Sequence, residues 1–288
     1  MQFDLTEPKE TEIGNYNPYL YPIIESGSPG CIAFRTGTTA HVVPVFGHSI
    51  NYDLWMPIGE QYFQKTISHI SSSNYLSSYI INDDNLGALY HMHRYALNRP
   101  TIFFPEPEKY SKKTYGVLFA GGLVQKSPTK LTSGPLIEAF LMQKLFKTMV
   151  INGDNPWVRR LAQACSGKVQ DKLILRTLYC KTDHYLKNLS RHDNDNHYLG
   201  KAEAEMIVHK VLTLPQYWLT EFSLNEVYCG NRAKLGDVLL EYRGGTEDPI
   251  IHLIRLPGKL IFPQHGSVEL NISTQSYLPL YKLNDNDK

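Results

Sequence analysis

The stretch R-T-G-T-T-A-H-V-V-P-V-F-G-H-S-I-N-Y-D-L-W, residues 35–55, decides the fold of the first part of the chain. Its β-branched and aromatic residues predict a short buried strand from His41 to Phe46, entered through a Gly-Thr-Thr turn and left at Gly47. His41 is the first residue of that strand. The apolar residues behind it would hold the backbone in place, so the imidazole could keep one orientation, as a general base must.

The residues before this strand complete a hairpin. The segment Tyr19–Ser26 predicts a short helix or an extended docking segment that stops at Gly27, after which Ser-Pro-Gly turns the chain. Cys31–Arg35 predicts a second apolar strand. Because the connection R-T-G-T-T is tight, we expect this strand to pair with the strand that begins at His41.

This combination resembles a known enzyme family. The run I-x-S-G-x-P, strand, turn, A-H-V-V-P-V-x-G-H is similar to the second half of papain-like cysteine peptidases, notably the bacteriocin-processing and related bacterial branches. In that family the histidine opening such a strand is the catalytic base, which the resemblance places at His41. It implies acyl chemistry on a peptide or isopeptide bond, in which the base takes a thiol proton and a cysteine attacks the carbonyl.

A second anchor of the resemblance follows the strand around Tyr79, in the run D-D-N-L-G-A-L-Y. Papain-like enzymes carry an Asn or Asp on a strand after the histidine strand. The resemblance implies that Asp83, or in second place Asp84, accepts a hydrogen bond from His41 and fixes its tautomer. Two alternatives stay open. Asp-Asp-Asn is also a natural turn sequence, and His41 could be a buried histidine bonded to a backbone carbonyl.

The sequence does not identify which residue would be the nucleophile. The resemblance implies the order Cys, His, Asn/Asp, with the cysteine at the N-terminus of a helix whose dipole lowers the thiol pKa. Cys31 precedes the histidine, but we predict it in a strand, with a packing role. The chain is therefore a fragment or shortened version, a degenerate relative that kept the scaffold for binding, or a permuted enzyme using Cys165, Cys180 or Cys229. We rank the three in this order.

The expected function is that of a degenerate or truncated papain-like relative that is not catalytically competent alone. One alternative is a non-enzymatic protein-binding or assembly subunit. Another is an active thiol peptidase or acyltransferase that uses a cysteine supplied from elsewhere. The absence of the family's covering helix would leave the apolar side of the hairpin uncovered, which predicts a peptide or protein partner, a homo-oligomer or a replaced cover.

Composition narrows the classes of partner. The 288 residues are 42% apolar and 20% charged, enough to bury a core. The 29 basic and 28 acidic residues give a net charge of +1, so we expect no nucleic-acid partner. No leader-like or membrane-spanning apolar run is found, and we expect no membrane partner. The 4 cysteines contain no C-x-x-C pair, which predicts a reducing, cytoplasmic location.

No motif predicts a cofactor or a metal. Gly121 and Gly122 match neither G-x-G-x-x-G nor G-x-x-x-x-G-K-[ST], and we predict a turn there. The loop R-H-D-N-D-N-H at 191–197 has the spacing of neither a zinc helix nor a calcium loop. His91 and His93 alternate along a predicted strand without an evident third ligand. We therefore expect neither a cofactor nor a metal.

The fold class predicted for the whole chain is α+β. The run P-E-P-E-K-Y-S-K-K predicts a linker. It divides the chain into 1–104, a papain-like β-rich half-module, and 105–288, an α+β C-terminal domain of unknown role. In the latter, an antiparallel sheet packed with helices is expected. Helices are predicted at Leu136–Val150, Pro156–Ala164, His184–Leu189 and Lys201–Leu212, and strands at Lys172–Cys180, Tyr217–Phe222, Leu235–Tyr242 and Ile250–Leu256.

Overall fold

The structure is a computed structural model, and the residues that it describes are 17–36, 39–50, 69–84, 87–93, 114–115, 120–122, 133–146, 156–165, 173–191, 208–224, 228, 233–256, 259–265, 268–271 and 280–281. The helices are α1 (Asn17–Glu25), α2 (Gly134–Phe140, continued by a π-helical segment Leu141–Phe146), α3 (Pro156–Cys165) and α4 (Thr182–Arg191). The strands are β1 (Gly30–Thr36), β2 (Thr39–Ile50), β3 (Ile70–Ser71), β4 (Leu76–Asp83), β5 (Gly87–His93), β6 (Thr114–Tyr115), β7 (Ala120–Gly122), β8 (Ile174–Lys181), β9 (Gln216–Ser223), β10 (Ala233–Lys234), β11 (Gly236–Glu241), β12 (Ile250–Leu256), β13 (Lys259–Phe262), β14 (Val268–Asn271) and β15 (Leu280–Tyr281).

The predicted hairpin is confirmed and is longer than expected. β1 and β2 pair antiparallel, with Phe34 opposite His41. The first sheet has the order β5-β4-β2-β1-β6, and β7 also pairs with β1. Val43 and Val45 of β2 are fully buried in a cluster to which α1 contributes Leu20. These alternating valines fix which face of β2 points inward, because successive side chains of a strand point to opposite faces.

The start of the chain as described is a helix, one of the two forms predicted for it. α1 ends at Glu25, and Gly27 follows with φ 72°, a left-handed conformation that glycine adopts without strain. The amide of Gly27 donates to the carbonyl of Ile24. The helix end predicted at Gly27 is therefore confirmed.

Contacts divide the chain into two compact units, residues 1–51 with 73–134, and residues 52–72 with 135–288. This division differs from the predicted boundary at 104/105. β6 and β7 lie after the predicted linker in the sequence, and both pair with β1. The chain therefore returns to the first sheet. Gly121 and Gly122 pair with Cys31 and Gly30, so the predicted turn is wrong and these glycines belong to a strand. The linker itself lies outside the described residues.

The second unit is built on a sheet of order β14-β13-β12-β11-β9-β8-β3. Neighbouring strands pair antiparallel except β3 and β8, which pair parallel. β8, β9, β11 and β12 confirm the strands predicted in this region, and α2, α3 and α4 confirm three of its helices. The fourth helix, predicted at Lys201–Leu212, lies largely outside the described residues. The predicted α+β fold class is confirmed.

Candidate active site

His41 and Asp83 come from strands that lie side by side. β2 and β4 pair antiparallel, with Val45 opposite Ile81. His41 Nε2 lies 3.2 Å from Asp83 Oδ2. The Asp83 side chain is 0% exposed and that of His41 is 15% exposed. A buried carboxylate thus holds an imidazole that reaches solvent at one edge.

Asp84 approaches the same imidazole nitrogen. Its Oδ1 lies 3.5 Å from His41 Nε2, and its side chain is 82% exposed. Successive residues of a regular strand point to opposite faces. Asp83 and Asp84 can converge because β4 ends at Asp83 and the chain turns there. The structure therefore brings together all three residues singled out in the sequence, while their catalytic roles stay predictions.

The pair has a definite chemical meaning. With a proton on Nε2, His41 donates a hydrogen bond to the Asp83 carboxylate, and Nδ1 is then the nitrogen with a lone pair. The carboxylate fixes the tautomer and stabilises the imidazolium that would form when Nδ1 takes a proton. This is the arrangement of a general base with its orienting group.

Three cysteines are described, and all are free thiols. Burial raises the pKa of Cys165 to about 12. Burial, followed by the nearby carboxylates of Glu221 and Asp237, raises the pKa of Cys180 to about 12. Both thiols are therefore protonated at neutral pH and are poor nucleophiles. Cys31 lies within β1, opposite Pro44, which confirms the predicted strand position, and its side chain is partly buried. Cys229 lies outside the described residues.

β2 carries a second histidine–carboxylate pair, which was not predicted from the sequence. His48 Nε2 hydrogen-bonds Glu25 Oε1 at the end of α1, and the ring lies 5.0 Å from that of Tyr21, centroid to centroid. Both side chains of the pair are at least nine-tenths buried. This contact ties the helix to the sheet. A glutamate among the apolar residues of a short helix was the available signal.

The second unit contains a buried row of charged residues, which was also not predicted from the sequence. Arg176, Glu221, Asp237 and Arg255 are cross-strand neighbours on β8, β9, β11 and β12, so their side chains share one face of the sheet. Lys234, which is 0% exposed, lies between the two carboxylates, 2.7 Å from Glu221 Oε1 and 2.8 Å from Asp237 Oδ2. We call these five residues the charge row.

The ends of the charge row are closed by the arginines. Arg176 Nη1 lies 2.6 Å from Glu221 Oε2, and Arg255 Nη2 lies 2.7 Å from Asp237 Oδ2. Tyr185 of α4 donates to Asp237 Oδ1 at 2.8 Å. Burial alone would raise the pKa of Asp237, but Arg255 and Lys234 outweigh it and lower that pKa to about 2. The row is therefore a set of mutually satisfied ions, as buried charges must be.

None of the helices in the described ranges is long and apolar enough to cross a membrane. No protein-family model, curated protein or solved structure matches the chain.

Proposed function

We propose that the first unit carries the base and orienting carboxylate of a papain-like acyl-transfer site, and that this chain by itself binds a peptide or protein partner without cleaving it. The observation that carries the proposal is the contact between His41 Nε2 and Asp83 Oδ2 at 3.2 Å. The order of these residues along the chain agrees with the family resemblance.

The chemistry open to such a pair is proton transfer to and from a thiol. In a complete site, Nδ1 of His41 would take the thiol proton, and the thiolate would attack the carbonyl carbon. The proton would then pass to the leaving nitrogen as the C–N bond breaks, which leaves the acyl group on the sulfur as a thioester. His41 would next take a proton from the water or acceptor nucleophile that attacks this thioester, and would return it to the departing sulfur. The role of Asp83 would be to orient the ring and stabilise the imidazolium.

The described thiols support the non-catalytic half of the proposal. An activated cysteine needs a lowered pKa, whereas burial raises the pKa of both Cys165 and Cys180 to about 12. Cys31 lies within β1, which pairs with β2, so it lacks the helix dipole that activates a papain-like thiol. A competent nucleophile would come from Cys229 or from a polypeptide segment outside this sequence.

A specific observation favours the second candidate function, that of a protein-binding or assembly subunit. Val42 and Phe46 of β2 are 59% and 54% exposed, and Leu89 of β5 is 67% exposed. All three residues belong to the first sheet, and exposed apolar side chains that form one patch commonly mark protein interaction sites. A peptide-library selection with the wild-type chain and with Phe46→Asp tests this function. We expect the substitution to abolish selected binding, and equal binding by both proteins would contradict it.

The cysteines also support a proposed location. We place the chain in a reducing compartment such as the cytoplasm, because Cys31, Cys165 and Cys180 are free thiols. The terms hydrolase and peptidase would apply to this chain only together with the missing nucleophile.

Labelling with iodoacetamide at neutral pH, followed by peptide mapping, tests the absence of an activated thiol. We expect slow labelling of every cysteine in the folded chain and no effect of His41→Ala on any of the rates. One cysteine that reacts fast in the wild-type chain and slowly in His41→Ala would show a working thiol–imidazole pair, and would overturn the non-catalytic assignment.

Histidine ¹⁵N chemical shifts test the orienting contact separately, because they report which ring nitrogen carries the proton. We expect Nε2 of His41 to be protonated in the wild-type chain and the tautomer ratio to change in Asp83→Ala. His184 of α4 is the matched control, and its signals should not move. An unchanged His41 tautomer in Asp83→Ala would remove the basis of the proposed function.

A further inference from the structure

Two carboxylates converge on one imidazole nitrogen, although orienting a base requires only one. The distances from His41 Nε2 to Asp83 Oδ2 and to Asp84 Oδ1 are 3.2 Å and 3.5 Å. Charge-assisted N–H···O bonds are shorter, about 2.7–2.9 Å. A single N–H also cannot fully satisfy two acceptors. The one N–H on Nε2 accounts for the contact with Asp83 but not also for the approach of Asp84, and a cation held between the two carboxylates would account for both.

The same distances fit the edges of a metal coordination shell. Zinc lies about 2.0–2.2 Å from imidazole nitrogen and carboxylate oxygen, so two ligands at a tetrahedral angle are about 3.3–3.5 Å apart. The distances of 3.2 Å and 3.5 Å bracket that edge. Magnesium prefers right angles at about 2.0–2.1 Å, which gives a shorter edge of about 2.9 Å.

We propose that His41, Asp83 and Asp84 bind a divalent transition metal ion of the zinc type through Nε2, Oδ2 and Oδ1. These three atoms lie within 4.8 Å of one another. The proposal differs from the expectation of no metal in the sequence analysis, and it does not rest on the proposed acyl chemistry. One imidazole and two carboxylates form a donor set that suits zinc, manganese or iron, and the two edges that meet at Nε2, which are close to tetrahedral ones, favour zinc.

The surroundings of the three ligands suit an open metal site. His41 and Asp83 are held by the paired strands β2 and β4, and Asp83 is fully buried, so two ligands are fixed before the ion arrives. Asp84 is 82% exposed, which leaves a path from solvent. Three protein ligands leave a fourth tetrahedral position for water, as in zinc sites that are not purely structural.

Metal binding and the proposed base function exclude each other. A metal takes the lone pair of Nε2, so the histidine proton must lie on Nδ1. The base function requires the opposite tautomer, in which Nε2 donates to Asp83. An ion at this site therefore prevents the pair from acting as a general base, and zinc would act as a reversible inhibitor of any acyl transfer at His41.

The test is to titrate the metal-free full chain with two ions. Binding of Zn²⁺ is measured by isothermal titration calorimetry, and binding of Co²⁺ by visible absorption. We expect one saturable ion per chain, with a tetrahedral Co²⁺ spectrum. His41→Gln should abolish binding at this site, and Asp84→Asn should weaken it at least about tenfold. Asp183→Asn, which removes an exposed carboxylate from α4, is the matched control and should not change the affinity. Mg²⁺ at the same concentration should not displace Zn²⁺.

Three results would overturn the proposal, namely an Asp84→Asn affinity equal to that of the wild-type chain, retention of the bound ion by His41→Gln, or displacement of Zn²⁺ by equimolar Mg²⁺. Asp84 is exposed, so its substitution leaves the fold intact, which circular dichroism checks. Asp84→Asn also separates the two hypotheses, because it keeps the contact between Asp83 and His41. Failure of the metal site leaves the ¹⁵N tautomer result unchanged, whereas failure of the base function leaves the calorimetry unchanged.

Discussion

Replacing Lys234 with methionine provides a strong test of the charge row. The Lys234 ammonium is 0% exposed and is within 2.8 Å of oxygens of both Glu221 and Asp237. Methionine has a similar length, so the main change is the loss of the charge and of two hydrogen bonds. The carboxylates would then face each other without the cation between them.

The expected loss in the free energy of unfolding depends on the ion pairs that remain in Lys234→Met. Breaking a buried ion pair by removing one partner costs about 3–5 kcal/mol. Glu221 and Asp237 each keep an arginine within 2.7 Å, so we expect the lower end, about 3 kcal/mol. For a unit of this size that corresponds to a fall in melting temperature of about 10 °C. Lys187→Met, at an exposed position of α4, should cost less than about 0.5 kcal/mol.

The pH dependence gives a second measurement of the same effect. Because the pKa of Asp237 is lowered from 3.8 to about 2 in the folded chain, its ionisation stabilises the fold by about 2 kcal/mol. That stability is present above about pH 4 and is lost as the pH falls toward 2. Lys234→Met removes one of the groups that lower this pKa, so its stability should fall less steeply with acid.

Equilibrium unfolding in urea measures both effects, and the fluorescence of the fully buried Trp218 is a reporter within the same sheet. If the free energies of unfolding of Lys234→Met and Lys187→Met differ by less than about 1 kcal/mol, the Lys234 charge does not stabilise the sheet as described. The same conclusion follows if the stability of Lys234→Met falls with acid as steeply as that of the wild-type chain.

Two further substitutions test other contacts in the structure. Tyr185→Phe removes the 2.8 Å hydrogen bond to Asp237 and should cost about 1.5–3 kcal/mol in urea unfolding, since the acceptor is charged; a cost near zero would show that the bond is not formed. Gly236→Ala should destabilise by about 3 kcal/mol or more, because its Cβ would lie 2.4 Å from the carbonyl oxygen of Arg255. At Gly47 the atom nearest to an added Cβ lies 3.5 Å away, so Gly47→Ala should be tolerated far better than Gly236→Ala when the two variants are compared by thermal unfolding. Equal losses of stability would contradict this.

The hairpin could be predicted from the sequence because its signals are local. The Gly-Thr-Thr turn limits the connection, and the valines at alternate positions of β2 fix the face that is buried. The contact between His41 and Asp83 was implied by the resemblance to papain-like peptidases, in which an Asn or Asp on a later strand accepts a hydrogen bond from the histidine. The convergence of Asp84 was not, because it depends on how the chain turns after β4.

The charge row could not be predicted because its members are far apart along the chain. Arg176 and Glu221 meet only through the register of β8 and β9, and a lone arginine or glutamate in a strand ordinarily indicates a solvent-facing side chain. The strand pairing of β6 and β7 with β1 was missed for the same reason. A proline- and charge-rich segment predicts a domain boundary, but it cannot show that the chain returns to the same sheet.

The parallel pairing of β3 with β8 sets the order in which the protein can form during synthesis. Ile70 finds its partner Ile174 about a hundred residues later, and such distant contacts slow folding. At a translation rate of about 5–20 residues per second, β3 leaves the ribosome roughly 5–20 seconds before β8 does. During that interval the segment 52–72 has been synthesised ahead of most of its unit, so chaperones have time to bind it before the seven-stranded sheet is complete.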